Sequence, residues 1–315
     1  MKWMLDLKFE KPSSLIHHSE PIVLMGSCFT GNIGGTLSSR YFQTTVNPCG
    51  IIFDPDSLAR HVSRAIHEEE VLADSLHYYN ERYQSLQFHS DFSSMNEDEA
   101  IRKMNASMQV LREGLKEAKH FIITLGSAFV YRFKETNEFV ANCHQFPADR
   151  FEKVLLKADE ISLILQRMLD ELRSFNPAIH FIFTVSPVRH IRDGVVANNR
   201  SKAQLIEAVH RIAESNDQCD YFPAYEWVID VLRDYRWYDL DLVHPNYAAT
   251  DSVFEQFCAT CMDEWTQAQL KDLHQLSLGK AHKPRFPDTD AHQKFLAGLA
   301  SKEKELKARM PWIKI

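Results

Sequence analysis

Short apolar runs that end at a glycine or at a turn containing proline recur along the chain. The strongest runs cover residues 22–25, 121–125 and 181–185, and a weaker one covers residues 44–46. Continuous apolar runs of this length, bounded by turn-forming residues, are typical of strands that are buried on both faces. The pattern therefore predicts four strands within one sheet.

Helical periodicity fills the segments between and after these runs. Asp54 and the proline behind it form a helix start signal, and Asn96 and Asp159 precede two further amphipathic stretches. Two more helices are expected over residues 199–215 and 247–266. Because strands that alternate with helices imply βαβ crossovers, we expect an α/β fold with a mostly parallel sheet that is covered on both faces.

Two segments do not follow this alternation. Residues 67–95 are rich in His, Tyr, Ser and Asp without clean periodicity, and we place them in an insertion of about residues 54–118 over one edge of the sheet. A Lys- and Glu-rich helix is expected over residues 289–309. We therefore divide the chain into a main domain, residues 1–276, and a C-terminal helical extension, residues 277–315, which packs on the domain or forms homo-oligomer contacts.

Composition narrows the class of protein. The 315 residues include 36 basic and 43 acidic side chains, for a net charge of −7, which gives no electrostatic reason to expect nucleic acid or an anionic membrane as a partner. No apolar run approaches the roughly 20 residues that a membrane helix needs, and early charges interrupt any secretory signal. Six cysteines in a chain this long do not indicate a disulfide framework. We expect a soluble cytoplasmic enzyme with no cofactor and no metal ion.

Each strong apolar run ends in a turn of small and polar residues. The turns read Gly26-Ser27-Cys28, Gly126-Ser127-Ala128 and Ser186-Pro187-Val188-Arg189-His190. Because the carboxyl ends of parallel strands converge on one crevice, the polar side chains of these turns are expected to meet there. For any single turn, simple chain reversal is the favoured explanation, but three such turns weaken it. Arg189 and His190 can bind an acidic or hydroxyl-rich substrate, with a salt-linked loop as the alternative.

A fourth element carries a carboxylate three residues before a histidine, in the sequence Asp241-Leu242-Val243-His244-Pro245-Asn246. On a tight loop, Asp241 can accept a hydrogen bond from one imidazole nitrogen of His244 and leave the other nitrogen free as a base. The same residues also suit a capped surface turn before a helix. This spacing alone is therefore weak evidence for catalysis.

The pentapeptide Gly26-Ser27-Cys28-Phe29-Thr30 opens a series of sequence blocks that continues at residues 47–51, 125–131, 141–144, 184–190, 221–226 and 241–246. In this order the blocks resemble the GSCFA-domain family, which is placed within the SGNH (GDSL-type) hydrolase superfamily. The resemblance implies a three-layer α/β/α, flavodoxin-like fold. It also implies a nucleophile after the first strand, and a base with its orienting acid in the last block.

Within this resemblance, two residues compete for the role of nucleophile. The serine of the superfamily's first block corresponds to Cys28, whereas Ser27 stands at the aspartate position. A thiolate is a strong nucleophile, and a helix N-terminus together with an imidazole lowers the pKa of a thiol. We therefore favour Cys28, with His244 as the base and Asp241 as its orienting acid. A cysteine that is only packed in the core is the alternative.

The resemblance also implies an oxyanion hole, in which one donor is missing. The N–H of the nucleophile and Gly50 stand at plausible positions, but Ala128 replaces the asparagine of the third block. Loss of one such donor costs about 100- to 1,000-fold in turnover. Asn142 or Ser127 is expected to compensate, although a surface turn explains Asn142 equally well. His144, in the same turn as Asn142, is a further binding candidate.

These residues together predict an acyl-ester hydrolase that forms a thioester on Cys28, with an acylated carbohydrate or another small acyl ester as substrate. A sugar hydroxyl in place of water makes the same site an acyltransferase. Two alternatives differ in class. Ala128 favours a ligand-binding protein without turnover, and a metal site is conceivable from Cys28, Cys143, His144 and His244.

Overall fold

A computed structural model describes residues 4–315 of the chain. Its strands are, in chain order, β1 (Ile22–Gly26), β2 (Thr44–Val46), β3 (His77–Tyr79), β4 (Arg82–Gln84), β5 (His120–Leu125), β6 (Phe129–Phe133), β7 (Glu138–Val140), β8 (Phe151–Leu155), β9 (His180–Val185) and β10 (Cys219–Tyr221). Its helices are α1 (Cys28–Ser39), α2 (Pro55–Ile66), α3 (Glu97–Glu117), α4 (Ala158–Phe175), α5 (Val195–Ser215), α6 (Ala224–Glu226, continued as a π-helix over Trp227–Leu232), α7 (Tyr247–Cys261), α8 (Glu264–Ala281) and α9 (Asp290–Arg309). Within residues 4–315, no helix combines the length and hydropathy that crossing a bilayer requires.

Five strands form one parallel sheet in the order β10-β9-β5-β1-β2. The chain moves outward from β1 in one direction and then in the other, which is the order of a flavodoxin-like, doubly wound sheet. The four predicted strands are confirmed. β10 was not predicted, because its three residues include Asp220 and form no apolar run.

Alternate residues of β1 point to opposite sides of the sheet and meet different helices. Val23 and Met25 lie in a core cluster with buried residues of α2, α3, α4 and α5. Ile22 and Leu24 lie in a second cluster with residues of α1 and α7. Because both faces of the sheet are covered by helices, the predicted three-layer α/β/α fold is confirmed.

The predicted helix starts are confirmed where the capping signal is local. Asp54 accepts a hydrogen bond from the N–H of Ser57 (2.8 Å), and a proline occupies the first position of α2. Asn96 caps α3 in the same way, by accepting from the N–H of Glu99 (2.8 Å). Both caps satisfy a backbone donor that a helix start leaves unpaired.

The single helix predicted over residues 247–266 is instead two helices. α7 ends at Cys261, and Met262 forms a parallel β-bridge with Ile16. Asp263 then caps α8 by accepting from a backbone N–H of its first turn (2.6 Å). The contact with Ile16 is distant in sequence, so local spacing could not indicate the break.

The segment without clear periodicity contains short antiparallel strands. β3 and β4 form a hairpin within residues 67–95. α2 and α3, which flank this hairpin, contribute buried residues to the main core. The predicted insertion, residues 54–118, therefore includes two helices of the three-layer fold. β6, β7 and β8 form a further antiparallel sheet that the sequence did not predict.

The C-terminal extension folds back as a helical hairpin. α9 returns along α8, and Leu306 is buried in one cluster with Leu276. The indole N–H of Trp312 donates to Nδ1 of His18 (3.1 Å), which joins the end of the chain to its beginning. The predicted boundary at residue 277 falls inside α8. Homo-oligomer contacts through this extension stay a prediction.

Two neighbouring glycines of α1 predict opposite effects of the same substitution. A Cβ at Gly34 would lie 2.6 Å from Cγ1 of Val46 in β2, whereas a Cβ at Gly35 meets nothing within 4 Å. We expect Gly34→Ala to lower the free energy of unfolding by about 1–3 kcal/mol, because the overpacked strand must shift. Gly35→Ala should raise it by about 0.5–1 kcal/mol, because alanine loses less conformational entropy in a helix. Urea unfolding followed by circular dichroism measures both, and equal effects would contradict the close approach of α1 to β2.

Candidate active site

A cleft of about 570 Å³ lies at the carboxyl ends of β1, β5 and β9. Six of the predicted site residues line it: Cys28, Ser127, Arg189, His190, Asp241 and His244. They come from the turns after these three strands and from the loop before α7. The structure therefore brings the nucleophile candidate and the acid–histidine pair to one cleft.

The turn after β1 directs Cys28, and not Ser27, to this cleft. Gly26 has a φ of 140°, and a Cβ there would lie 2.1 Å from the carbonyl oxygen of Thr124 on β5, so the position requires glycine. Ser27 is the N-cap of α1 and is buried, and its Oγ has no hydrogen-bond partner among residues 4–315. Cys28, the first residue of α1, is half-buried and lines the cleft. This geometry favours Cys28 over Ser27 as the nucleophile.

The surroundings of the Cys28 thiol act on its pKa in two directions. Burial, the largest effect, raises this pKa above its ordinary value. The N–H groups of Phe29 and of Cys28 itself lower it, and so does the charge of Lys202. Those N–H groups lie in the first turn of α1, where a helix carries unpaired donors and a partial positive charge. A thiolate formed here is therefore stabilised by a helix terminus and by a cation.

Asp241 and His244 form the acid–imidazole pair that their spacing predicts. Nδ1 of His244 lies 2.6 Å from Oδ2 of Asp241, whose Oδ1 accepts from the N–H groups of Val243 (2.9 Å) and His244 (3.0 Å). Because an ionised carboxylate only accepts hydrogen bonds, Nδ1 carries the proton and Nε2 is left free as a base. The hydrogen bond from His244 is the main cause that lowers the pKa of Asp241 to about 2. Both side chains are 48% exposed.

Arg189 supports the loop that carries this pair. Its Nη1 donates to the carbonyl of Leu242 (3.3 Å), and its guanidinium lies 4.1 Å from the ring centre of Tyr238. Leu242 has a φ of 59°, a left-handed conformation that is uncommon for residues other than glycine and needs support from its neighbours. In this structure Arg189 therefore holds the loop through a carbonyl and an aromatic ring, whereas the sequence left substrate binding and a salt-linked loop as alternatives.

The expected oxyanion donors differ in availability. The N–H of Gly50 donates to the carbonyl of Asn47 (2.8 Å), which argues against its expected role. Oγ of Ser127 accepts from the N–H of Phe129 (3.0 Å) and lies 3.4 Å from Oγ of Ser201, a contact in which either hydroxyl can be the donor. When Ser201 donates, the Ser127 proton can donate into the cleft. The N–H of Cys28 stands at the start of α1, where helix donors have no intrahelical acceptor. The two available donors are thus this N–H and the Ser127 hydroxyl.

Asn142 and His144 are not among the residues that line the cleft. Nδ2 of Asn142 donates to Oγ of Ser90 (3.4 Å), and its Oδ1 accepts from the N–H of His144 (2.9 Å). Nε2 of His144 lies 2.7 Å from the carbonyl oxygen of Ser85. These contacts join the turn after β7 to the segment after β4. They argue against the expected oxyanion role of Asn142 and the expected binding role of His144.

The alternative metal site is not assembled. Cys143 packs against a separate apolar cluster, and neither it nor His144 lines the cleft that contains Cys28 and His244. Among the side chains of residues 4–315, no group of three or more His, Cys, Asp or Glu is arranged to hold a metal ion. The four residues considered as ligands are therefore not brought together.

His190 lines the cleft as a half-buried, neutral imidazole. Its backbone N–H donates to Oδ1 of Asn198 (2.9 Å), and its ring meets the ring of Phe53 edge-on, with centroids 5.2 Å apart. Burial lowers the pKa of His190 to about 4, so the ring is uncharged at neutral pH. Its Nε2 is buried and has no hydrogen-bond partner within residues 4–315.

Sequence reasoning missed two buried ionisable residues, one that lines this cleft and one that binds the strand ends beside it. Asp54, recognised only as a helix cap, also lines the cleft, and burial raises its pKa to about 6. Lys202 of α5 is 1% exposed, and its Nζ donates to the carbonyls of Gly126 and Ser186 (2.7 Å each). The available signal was the position of Lys202 one helical turn before Leu205, on the apolar face of α5, since lysine is rarely buried without a partner.

The contacts of Asp241 predict a carboxyl group that titrates at a pH of about 2. In His244→Ala this pKa should rise, because the largest stabilising hydrogen bond is lost while the two backbone donors remain. NMR titration of the side-chain carboxyl carbon measures the change. Asp234, whose pKa is lowered by Arg236, is the matched control and should not move. An unchanged Asp241 pKa would contradict the acid–imidazole pair.

Two protein-family models match the sequence of this chain, and one of them spans the residues that form the cleft. The model of the GSCFA family matches residues 21–257, which include both Cys28 and His244. The model described as GSCFA domain protein, C-terminal domain, matches residues 274–315. No curated protein matches the chain. Because the first match covers more than half of the sequence, the chain belongs to the GSCFA family.

Proposed function

We propose that this chain is an SGNH-like acyl-ester hydrolase in which Cys28 is the nucleophile, His244 the general base and Asp241 the group that orients the imidazole. One observation carries the proposal: Cys28 and the hydrogen-bonded pair of Asp241 and His244 come from distant parts of the chain and line one cleft. A nucleophile, a base and a group that orients the base are what covalent acyl transfer needs.

The proposed reaction has two steps that share one base. Nε2 of His244 takes the thiol proton as the Cys28 sulfur bonds to the acyl carbon, and negative charge moves to the carbonyl oxygen. The ester C–O bond then breaks, and the departing alcohol takes the proton from Nε2. Water, activated by the same nitrogen, attacks the thioester, which releases the carboxylic acid and restores the thiol.

The negative charge on the intermediate requires hydrogen-bond donors that are already in place. The N–H of Cys28 and the hydroxyl of Ser127 are the available donors at the cleft. Such donors contribute most where water is excluded and where they need not reorient during the reaction. In this proposal Ser127 takes over part of the role that the family's third-block asparagine has, since Ala128 offers no side-chain donor.

The proposed placement in the SGNH superfamily is supported by the position of each part. The nucleophile candidate follows β1 directly, and the acid–histidine loop directly precedes α7. The central sheet has the flavodoxin-like strand order that the resemblance implies. Because one fold hosts many activities, the placement adds support to the proposal but does not replace the site argument.

The lining of the cleft supports a substrate with both apolar and hydroxyl groups. Phe53 and Phe129 supply aromatic surface, while Asp54 and His190 offer a carboxyl group and a neutral imidazole. Both polar groups exchange hydrogen bonds with hydroxyls. An acylated carbohydrate combines these features. A sugar hydroxyl that accepts the acyl group in place of water would make the reaction an acyl transfer.

Ligand binding without turnover is a second candidate function. The ring of His244 bonds to Asp241 and not to the Cys28 sulfur in this structure, and Ala128 stands in place of the third-block asparagine. Catalytic hydrogen bonds often tighten only when substrate is bound, so this geometry alone does not exclude turnover. A covalent intermediate distinguishes the two functions.

The proposal predicts an acyl adduct on Cys28 after incubation with p-nitrophenyl acetate, identified by peptide mass spectrometry. Cys28→Ala should abolish the adduct, Ser27→Ala should retain it, and His244→Ala should slow its formation by about 100- to 10,000-fold. Cys143→Ala is the matched control, because Cys143 is also a half-buried free cysteine but lies outside the cleft. No adduct on the wild-type protein would favour ligand binding, and an unchanged adduct yield in Cys28→Ala would exclude Cys28.

The oxyanion assignment predicts that Ser127→Ala lowers kcat by about 100-fold with little change in KM, because the hydroxyl bonds to charge that exists only in the transition state. Steady-state kinetics with the same ester measures both constants, and thermal unfolding confirms that the variant is folded. Ser90→Ala removes a hydroxyl outside the cleft and serves as the control. Wild-type kcat in a folded Ser127→Ala protein would remove Ser127 from the oxyanion site.

A further inference from the structure

Lys202 joins the two strands that form the floor of the cleft. Its Nζ donates to the carbonyls of Gly126 and Ser186, which directly follow β5 and β9. The side chain is 1% exposed, so the ammonium is held inside the protein. An ammonium has three donors, and these two hydrogen bonds use only two of them.

The charge of Lys202 lacks a carboxylate partner. Its hydrogen bonds within residues 4–315 go to two backbone carbonyls. One of them belongs to Gly126, which packs against the residue before Cys28: a Cβ at Gly126 would lie 3.3 Å from the Cβ of Ser27. In keeping with this proximity, Cys28 is the ionisable group that raises the pKa of Lys202. Burial acts in the other direction and lowers this pKa to about 7. Because a buried ammonium without a counter-charge is costly, an anion on the Cys28 sulfur is the partner that this cation lacks.

A purely structural role does not explain why this residue is a lysine. Asn198 and Ser201 lie on the same buried face of α5 and hold the neighbouring loops with neutral groups. Asn198 accepts from the N–H of His190 (2.9 Å), and Ser201 accepts from the N–H of Ala128 (2.8 Å). Lys202, the third polar residue on this face, carries a charge that is not required to hold the loops in place.

We propose that Lys202 is a positioning residue that activates Cys28: its buried ammonium is the counter-charge of the Cys28 thiolate, and the reactivity of the thiol depends on whether Lys202 is protonated. The inference rests on the proposed role of Cys28 as nucleophile. While Lys202 is an ammonium, it favours loss of the thiol proton and stabilises the sulfur anion that attacks the substrate. Once Lys202 becomes a neutral amine, that stabilisation ends.

The charged and titratable groups that line the cleft together with Cys28 come from several elements: Asp54 before α2, Lys153 of β8, Arg189, His190, Arg192 and Asp193 after β9, and Asp241 and His244 before α7. Of these groups, His190 has its pKa lowered by the charge of Lys202. The pKa of Asp54 is about 6 and that of His190 about 4, both lower than that of Lys202. Since the pKa of Lys202 is about 7, activation is present below that pH and is lost as the pH rises through it.

Alkylation of Cys28 by iodoacetamide tests the inference, because its rate follows the thiolate fraction. Peptide mass spectrometry separates Cys28 from the other five cysteines. We expect wild-type protein to react about 10-fold faster than Lys202→Met at about pH 6, where Lys202 is charged, and the ratio to approach one above about pH 8. Lys202→Arg keeps a charge that does not titrate and should preserve the faster rate at both pH values.

Ser201→Ala is the matched control, because it removes a neutral hydrogen bond from the same face of α5. Its rate relative to wild type should not vary with pH. Repeating the series in a His244→Ala background shows whether the effect of Lys202 on the thiol is independent of the acid–imidazole pair. A folded Lys202→Met protein that reacts at the wild-type rate, or more slowly by a factor independent of pH, would overturn the inference.

A second pair of variants tests the coupling if Lys202→Met does not fold. Cys28→Asp places a fixed anion at the first position of α1, and Cys28→Asn is its uncharged match. NMR titration of the Lys202 side chain should give a pKa about one unit higher with Asp than with Asn, and equal values would refute the coupling. Neither measurement uses an ester. If an acyl adduct forms but Lys202 changes neither the alkylation rate nor its own pKa as described, only the Lys202 inference is refuted. If Lys202 shows these changes but no acyl adduct forms, only the proposed hydrolase activity is refuted.

Discussion

The close approach of Gly26 to the carbonyl of Thr124 is the constraint on which the candidate site depends. A side chain at this point would lie 2.1 Å from that oxygen, so β1 can end against β5 only at a glycine. The N–H of Ser27 then donates to the same carbonyl (3.1 Å), and α1 begins at the next residue. Cys28 thereby gains the donors of a helix start and a position beside the loops after β5 and β9. Any displacement of this turn would separate the thiol from both.

The walls of the cleft are held by two different mechanisms. The turns after β5 and β9 are fixed from inside by the buried polar face of α5, whose apolar residues belong to the main core. The acid–histidine loop is fixed from outside, by the contacts of Arg189 with Leu242 and Tyr238. The side chains of Asp241 and His244 are half exposed, while Val243 packs against the second core cluster and Pro245 forms a β-bridge with Tyr238. The exposed part of this loop is the part of the wall that can adjust when a substrate enters. Cys28 and the N–H groups at the start of α1 lie on the rigid side.

Local signals in the sequence were enough for the framework and for part of the site. Apolar runs and capping residues gave four of the five central strands and the start of α2 at Asp54, and the D-x-x-H spacing gave the contact of Asp241 with His244. Long-range contacts account for the rest. The N–H of Gly50 is used by its own turn, Asn142 bonds to a distant segment, and Lys202 is buried against strand ends that no local pattern could assign to it. The oxyanion roles expected for Gly50 and Asn142 came from their positions in the sequence blocks or turns, and their contacts in the structure argue against both roles.

Under the proposed function, a thiol suits this cleft better than a hydroxyl. Serine attacks only while a base in close contact removes its proton, whereas a thiol has an ordinary pKa of about 8.5 and a thiolate that is intrinsically nucleophilic. Here the imidazole is 48% exposed and bonded to Asp241, and Ala128 supplies no oxyanion donor. Burial raises the pKa of Cys28, but the thiolate, once formed, is stabilised by a helix terminus and by the buried ammonium of Lys202. Attack by such a thiolate depends less on the base and on an oxyanion donor than attack by a serine does. Cys28 and Ala128 are thus consistent with one arrangement. The side-chain donor for the carbonyl oxygen is absent at Ala128, and the groups around the Cys28 sulfur stabilise the negative charge of the attacking thiolate instead.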